Sequence, residues 1–300
     1  NKYSRSAEKC NMRLTTCAIN EETVLGVVTA EGVQLLPAAD GWPAGMLDWI
    51  AAGQAAAERF RRESASLPVT PQERVRFCAP IPRPRKNLVC LGKNYAAHAL
   101  ELSGAEGDAG TKPRHPLVFT KAPTTVNGPY ANIPFDPAVS SEIDWEVELA
   151  VVIGREGKNI ARGVALEHVF GYTVLNDITA RDIQYRHKQF FLGKSLDGAC
   201  PMGPWIVTAD EIHDPQNLDL RCWVNGVLKQ EANTSEQLFS VAETISILSQ
   251  GHTLEPGDII ATGTPSGVGF ARKPPEFLRP GDVVECEIEG IGWMRNVISR

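Results

Sequence analysis

Short apolar runs and alternating apolar and polar positions dominate the chain, and both patterns are typical of β-strands. Near the start, strands are predicted over 12–19 and 23–29, followed by the apolar run 33–38. One helix is predicted over 48–64, where apolar side chains recur on one side. Nothing in these residues suggests chemistry. We therefore interpret 12–70 as a small α+β domain that serves as a cap or a dimerisation element.

Residues 71–86 are rich in proline and predict an extended linker, so 87–300 would form a second domain. This domain opens with a strand over 87–92 and a short helix over 95–102, for which Asn94 is the expected N-cap. The resulting boundary separates a small N-terminal domain from a larger one that would carry the chemistry.

Asn225-Gly226 lies between two strand-like runs and predicts a hairpin. The sequence over 234–237 fits a capping box and predicts a helix reaching about Gln250. Two more strands are predicted around 290–292. Many strands, few helices and closely spaced turns indicate a mixed, β-rich α+β fold rather than a doubly wound α/β sheet.

The 300 residues include 43% apolar and 22% charged residues, as in ordinary globular proteins. The net charge of −6, without a basic run, argues against a nucleic-acid partner, and no apolar run approaches the ~18 residues that span a membrane. Seven scattered cysteines without a CxxC motif predict a reducing, cytoplasmic location and neither a disulfide framework nor a zinc site. Residues 1–11 lack the apolar core of a signal peptide, so we expect a leader or a remnant of the expression vector there.

Three acidic residues form the centre of our interpretation: Glu146, Glu148 and Asp177, called the acidic cluster below. The run 143–153 predicts a strand, on which Glu146 and Glu148 share one face; on a helix they would diverge by roughly 200°. Asp177 ends a second apolar run, so adjacent strands would bring the three carboxylates together. The alternative is that both glutamates line the solvated face of an edge strand.

Crowded carboxylates repel one another unless a cation lies between them. Oxygen ligands suit Mg²⁺, Mn²⁺ or Ca²⁺, and a few carboxylates with open positions suit Mg²⁺ or Mn²⁺ best, with Ca²⁺ as a substitute. The sequence therefore predicts a divalent-metal site, although a purely structural Ca²⁺ site stays open as an alternative.

His98 and Glu101 lie three residues apart on the predicted helix, so Glu101 could orient the imidazole as a general base requires. The alternative is an ordinary surface pair. The Gly- and Ala-rich residues 103–112 that follow predict a mobile lid. Lys194, between an aromatic run and a turn, could neutralise a substrate carboxylate or an oxyanion, or could be a plain surface lysine.

The segment 258–270 predicts a strand that enters a turn rich in glycine and threonine, and it lacks the lysine of a Walker loop. Its backbone N–H groups and the Thr264 hydroxyl could bind an anionic ligand, or it could be an ordinary tight turn. Arg181 and Gln184 are three residues apart, just beyond Asp177.

Several motifs in a fixed order make residues 87–297 resemble the fumarylacetoacetate hydrolase family. They read LGKNYAAHALE, DWEVELAVVIG, GYTVLNDITARDIQ, FLGKS, PMGPW, VNGVLKQEANT, LEPGDIIATGTPSGVG and GDVVECEIEGIG. The resemblance implies a mixed β-roll catalytic domain in a homodimer that acts on small 2-oxo acids, such as those of aromatic catabolism.

The resemblance also implies roles for single residues. The acidic cluster would hold Mg²⁺ or Mn²⁺, His98 and Glu101 would activate water, and Lys194 would face the substrate oxyanion. Substrate contacts are implied for Arg181, Gln184 and Thr264.

Two departures from the family prototype make fumarylacetoacetate itself doubtful as the substrate. The segment GKNYAAHA lacks an acidic metal ligand upstream of His98, and Lys188 stands where the prototype has a substrate-binding tyrosine. We expect a hydrolase that cleaves a C–C bond in acylpyruvate-like or 1,3-dicarbonyl acids through a metal-bound enolate. The alternatives are an oxaloacetate-type decarboxylase or an enol–keto isomerase on the same site, and, from another class, a non-catalytic Ca²⁺-binding module.

Overall fold

A computed structural model describes residues 12–19, 22–103 and 111–300. The predicted lid, 103–112, therefore lies mostly outside the described residues. Among the described residues, no helix has the length and apolar content needed to cross a membrane. The described cysteines are free thiols.

Strands far outnumber helices in the described part of the chain. The strands are β1 (Arg13–Ile19), β2 (Glu22–Thr29), β3 (Gly32–Leu36), β4 (Val69–Thr70), β5 (Arg76–Cys78), β6 (Leu88–Gly92), β7 (Leu117–Lys121), β8 (Val126–Asn127), β9 (Ile133–Pro134), β10 (Ile143–Asp144), β11 (Val147–Ile153), β12 (Gly157–Lys158), β13 (Val169–Asn176), β14 (Thr179–Ala180), β15 (Cys200–Thr208), β16 (Asp219–Val224), β17 (Val227–Asn233), β18 (Thr253–Leu254), β19 (Ile259–Ala261), β20 (Val283–Ile288) and β21 (Gly292–Ser299). The α-helices are α1 (Met46–Ala52), α2 (Gln54–Glu63), α3 (Ala96–Ser103), α4 (Arg181–Arg186), α5 (Phe191–Lys194) and α6 (Val241–Leu248). The predicted mixed, β-rich α+β fold is confirmed.

The largest sheet runs through the molecule in the order β4-β3-β2-β1-β15-β13-β11-β19-β6-β7, with β5 paired to β1 and β8 to β15. Its N-terminal strands join the rest where β1 pairs antiparallel with β15, with Leu14 opposite Ile206. Residues of 12–70 therefore share one sheet with residues beyond 87. The division of the chain into two domains at 71–86 stays a prediction.

A second sheet has the order β17-β16-β20-β21-β9, and its apolar face packs against β11 and β13 of the large sheet. Its first hairpin turns at Asn225-Gly226, where both residues have positive φ values, 52° and 76°. The predicted hairpin is confirmed. The core between the sheets leaves β11 buried along its whole length, because the strand is covered on both faces.

The single helix predicted over 48–64 is wrong, because two helices meet there at Gly53. Gly53 has φ 53° and ψ −126°, a conformation that favours glycine, and its N–H closes α1 on the Trp49 carbonyl. The apolar spacing continues across Gly53, so periodicity alone did not reveal the break.

Two predicted helix starts are also wrong. Asn94 does not cap α3: its Nδ2 donates to the carbonyls of Phe239 and Thr262 at 3.0 and 2.7 Å. The capping box is real but begins at Asn233 and closes only the 3₁₀ turn Thr234–Glu236, whereas Ser240 caps α6. Asn94 forms contacts with residues far away in the sequence, whereas the capping box starts one residue earlier than predicted and a second cap, at Ser240, begins the helix.

Candidate active site

The acidic cluster forms where β11 begins and β13 ends. These strands are antiparallel, with Val147 opposite Asn176, so Glu146 and Asp177 leave them side by side. Ligand atoms of Glu146, Glu148 and Asp177 all lie within 4.8 Å of one another. All three side chains are buried, with at most 4% of any residue exposed.

The alternative of a solvated edge strand is wrong, because β11 lies between β13 and β19. The predicted strand over 143–153 is also interrupted. Ile143–Asp144 pairs separately with β14, and only Val147–Ile153 joins the large sheet. Glu146 therefore lies just before the strand, where the Asp177 N–H donates to its carbonyl at 2.8 Å.

Three buried cations surround the cluster. The Lys194 ammonium lies 2.6 Å from Glu146 Oε2 and 2.8 Å from Asp177 Oδ2. Lys121 Nζ lies 2.7 Å from Asp177 Oδ1, and Arg181 Nη2 lies 2.7 Å from Glu146 Oε1. Burial strengthens these ion pairs because little water screens them.

The cations do not compensate the three carboxylates equally. Burial opposes ionisation of Glu146, but Lys194 and then Arg181 outweigh it and lower the pKa of this carboxyl. Burial raises the pKa of Glu148 well above its ordinary range, and Asp177 and Glu146 raise it further. Among the described residues, no lysine or arginine nitrogen lies within 4.0 Å of the Glu148 carboxylate. A divalent cation would supply the missing positive charge, and carboxylate oxygens are the ligands such a cation prefers.

His98 and Glu101 form the expected pair on α3, with Nδ1 of His98 2.7 Å from Oε1 of Glu101. A carboxylate only accepts hydrogen bonds, so Nδ1 of His98 donates to Glu101, and Nε2 is the ring nitrogen left to accept or release a proton. His98 is 4% exposed, so the surface-pair alternative does not describe it. The other oxygen of Glu101 accepts the Gly267 N–H at 2.9 Å, which fixes the carboxylate that orients the imidazole.

The glycine-rich turn after β19 directs its backbone N–H groups at carboxylates of the protein itself. Gly263 donates to Glu148 Oε2 at 2.7 Å, and Gly269 and Phe270 donate to Asp144 at 2.7 and 3.0 Å. Asp144 in turn accepts from Arg181 Nε at 2.8 Å. These donors are therefore occupied by the chain's own acidic groups rather than free for an anionic ligand, and they hold the site together.

Seven of the nine residues singled out from the sequence line one cavity of about 120 Å³. These are His98, Glu146, Glu148, Arg181, Gln184, Lys194 and Thr264. Glu101 and Asp177 do not line the cavity themselves. They contact His98 and Lys194, which do. The Thr264 hydroxyl donates to the Val147 carbonyl at 2.9 Å, and Gln184 Oε1 accepts from Arg181 Nη1 at 3.0 Å.

Sequence reasoning missed several residues of the site, including Lys93, which also lines the cavity. Asp144 could have been found, because it precedes Glu146 and Glu148 at the same spacing of two. Lys121 comes from β7, which carries no polar pattern that points to the site. Tyr185 and Phe190, which line the cavity beside Gln184, read as ordinary apolar positions of 184–194.

Comparison with known proteins adds independent information. Residues 87–299 match the family profile of the fumarylacetoacetate (FAA) hydrolase C-terminal domain. The oxaloacetate tautomerase YisK of Bacillus subtilis is 53% identical over 225 residues, which cover 75% of this chain and 73% of the relative. A mitochondrial oxaloacetate tautomerase of Bos taurus is 47% identical over 259 residues, covering 85% of this chain and 80% of the relative.

Two solved structures share the fold over almost the whole chain. A fumarylacetoacetate hydrolase from Exiguobacterium antarcticum has a TM-score of 0.83 and 38% identity, covering 96% of this chain and 99% of its own. Maleylpyruvate hydrolase from Sphingobium sp. SYK-6, in complex with manganese(II) and pyruvate, has a TM-score of 0.78 and 30% identity at the same coverage. The chain therefore belongs to the fumarylacetoacetate hydrolase family, as its motifs predicted.

Proposed function

We propose that this protein is a divalent-metal-dependent enzyme that interconverts the enol and keto forms of a small 2-oxo acid of the oxaloacetate type. One observation carries the proposal: a buried acidic cluster with incomplete charge compensation shares a small cavity with an oriented histidine. The relatives that share about half of their residues with this chain are named oxaloacetate tautomerases, which favours tautomerisation over the other reactions of the family.

Glu146, Glu148 and Asp177 would hold Mg²⁺ or Mn²⁺. The ion would supply Lewis-acid stabilisation of the negative charge that an enolate carries. The Gly263 N–H holds Glu148 and the ammonium of Lys194 holds Glu146 and Asp177, so the three carboxylates are oriented before any ligand arrives. Such preorganisation is what electrostatic catalysis requires.

His98 would move the proton. Nε2 accepts a proton from the carbon next to the keto group, and the bond electrons pass into the enolate. Return of a proton to the enolate oxygen completes the enol, and the reverse sequence restores the keto acid. Glu101 keeps Nδ1 protonated throughout, so Nε2 remains the atom that exchanges the proton.

Hydrolysis of a C–C bond is a second candidate. The same Nε2 could deprotonate a water molecule for attack on a carbonyl, and a structural neighbour at 30% identity is a maleylpyruvate hydrolase. Decarboxylation of oxaloacetate would need the same enolate without the attacking water.

A homodimer in the cytoplasm remains part of the proposal, and light scattering would measure the dimer.

Product analysis tests the proposal. The purified protein with Mg²⁺ or Mn²⁺ is given enol-form oxaloacetate, and the decay of the enol ultraviolet absorbance is followed beside carbon dioxide release. Accelerated decay without carbon dioxide supports the tautomerase, whereas carbon dioxide release supports the decarboxylase. Maleylpyruvate and acylpyruvates in ¹⁸O-labelled water test the hydrolase, because hydrolysis places solvent oxygen in the product. Tight Ca²⁺ binding without turnover of any of these acids would contradict the enzyme and support a Ca²⁺-binding module.

A further inference from the structure

Lys93 lies at the cavity beside the acidic cluster and differs from the other cations there. It is exposed and lines the same cavity as His98 and Glu146. The other two lining cations, Arg181 and Lys194, are buried and already paired with carboxylates. Within 12–19, 22–103 and 111–300, the Lys93 ammonium makes no ion pair or hydrogen bond. No acidic side chain of the described residues therefore pairs with it.

The backbone holds Lys93 in an unusual conformation, with φ 54°. The other non-glycine residues with positive φ in the described chain are Asn159 and Asn225, a residue type that tolerates this region, whereas lysine does not favour it. Strained backbone of this kind occurs often at functional sites.

Both neighbours of Lys93 in the chain are fixed. Gly92 ends β6 opposite Leu117 of β7, and a Cβ at position 92 would lie 2.7 Å from the Leu117 side chain. Asn94 is 1% exposed, and its side chain exchanges hydrogen bonds with Phe239 in both directions. The position of Lys93 at the cavity is therefore set by the core rather than by a loop free to move.

We propose that Lys93 binds the distal carboxylate of a dicarboxylic 2-oxo acid and so distinguishes dicarboxylic from monocarboxylic substrates. The inference rests on the proposed function, which places the 2-oxo acid end of the substrate at the acidic cluster. A dicarboxylic acid carries a second charge at its other end, and the remaining lining cations, Arg181 and Lys194, already serve acidic side chains. An ammonium group at the cavity is the complementary partner for that charge.

The test is equilibrium binding, by titration calorimetry with Mg²⁺ present, of two acids that differ by one carboxylate. Oxaloacetate carries a carboxylate where 2-oxobutanoate carries a methyl group. In Lys93→Gln, we expect affinity for oxaloacetate to fall about 10-fold, on the scale of one charged hydrogen bond, and affinity for 2-oxobutanoate to change less than about 2-fold. Lys93→Arg should keep most of the selectivity.

Lys158→Gln is the matched control, because Lys158 is also exposed but lies in β12, away from the cavity. An equal loss for both acids, no loss for either acid, or a wild-type protein that binds neither would overturn the role of Lys93. Selective binding by a protein that shows no turnover would contradict the proposed reaction and still support this role.

Discussion

The acidic cluster and the described part of the N-terminal residues 12–70 are both well packed, but ion pairs dominate the first and apolar contacts dominate the second. Around the cluster, buried carboxylates meet buried ammonium and guanidinium groups at 2.6–2.8 Å. In 12–70, the Trp42 ring stacks on Trp49 at 6.3 Å between centroids and meets Phe60 edge-on at 6.5 Å. Apolar burial stabilises a fold directly, whereas buried ion pairs roughly offset the free energy lost on desolvation.

Under the proposed function, the acidic cluster serves the chemistry and the apolar packing of 12–70 serves stability. Buried charges contribute little net stability, so their presence at one end of β11 needs another explanation, and the proposed binding of metal and substrate would provide it. Substitutions in the cluster should therefore change binding and turnover most, while substitutions in 12–70 should change the free energy of unfolding most.

The largest effect is expected for Glu148→Ala. This change removes the carboxylate that has no described lysine or arginine nitrogen within 4.0 Å, and it should abolish both metal binding and turnover. Equilibrium dialysis with Mn²⁺ measures the bound metal, and Glu231→Ala, at an exposed glutamate of β17, is the control. A stoichiometric ion retained by Glu148→Ala would refute this ligand assignment.

His98→Ala should lower turnover by about 10²–10⁴-fold, the usual contribution of a general base, and leave metal binding intact. Steady-state kinetics and dialysis on the same preparation separate the two effects. His187→Ala alters an exposed histidine and should behave as the wild type. Unchanged turnover in His98→Ala would remove the His98–Glu101 pair from the mechanism.

Trp49→Ala should lower the free energy of unfolding by about 3–5 kcal/mol, because it empties a large space in the apolar core that 12–70 shares with the rest of the large sheet. Trp49 is 1% exposed, whereas Trp293 is 39% exposed, so Trp293→Ala is the control and should have a much smaller effect. Urea unfolding measures both. If the Trp49→Ala protein folds but loses metal affinity, the two regions are coupled, and the claim that substitutions in 12–70 change mainly the free energy of unfolding is wrong.

Removal of the metal should make stability depend on pH. In the metal-free protein, burial and then Asp177 and Glu146 raise the pKa of Glu148, so the folded chain keeps a proton that the unfolded chain releases. The free energy of unfolding should then fall as the pH rises from the pKa of Glu148 in the unfolded chain to its higher pKa in the folded chain. Urea unfolding with a chelator, at steps from about pH 5 to about pH 8, measures this slope. Glu148→Gln should flatten it, and a slope that survives in this variant would assign the proton elsewhere.

The smallest effect is expected for Glu63→Gln. Its carboxylate meets Arg59 Nε at 3.1 Å, but the two side chains are 39% and 29% exposed. Water screens such a pair, so the free energy of unfolding should fall by at most about 0.5 kcal/mol. A loss near the value for Trp49→Ala would show that charge pairs, and not rings, stabilise 12–70.

Local pattern was enough to predict the β-rich fold, the hairpin at Asn225-Gly226 and the meeting of Glu146, Glu148 and Asp177. It failed where a single residue breaks a continuing periodicity, as Gly53 does between α1 and α2. It also failed where a polar side chain is used at long range, as Asn94 is against Phe239.

The sequence by itself singled out Glu146, Glu148, His98 and Glu101, to which the proposed chemistry is assigned, because the spacing of carboxylates on a strand and of a histidine and a glutamate on a helix is a local property. Only the tertiary structure decided how they are held. Lys121 reaches Asp177 from another strand of the sheet, and the turn after β19 supplies N–H groups to Glu101 and Glu148. These contacts join residues 56 to 166 positions apart, and no local periodicity encodes a partner at such a distance.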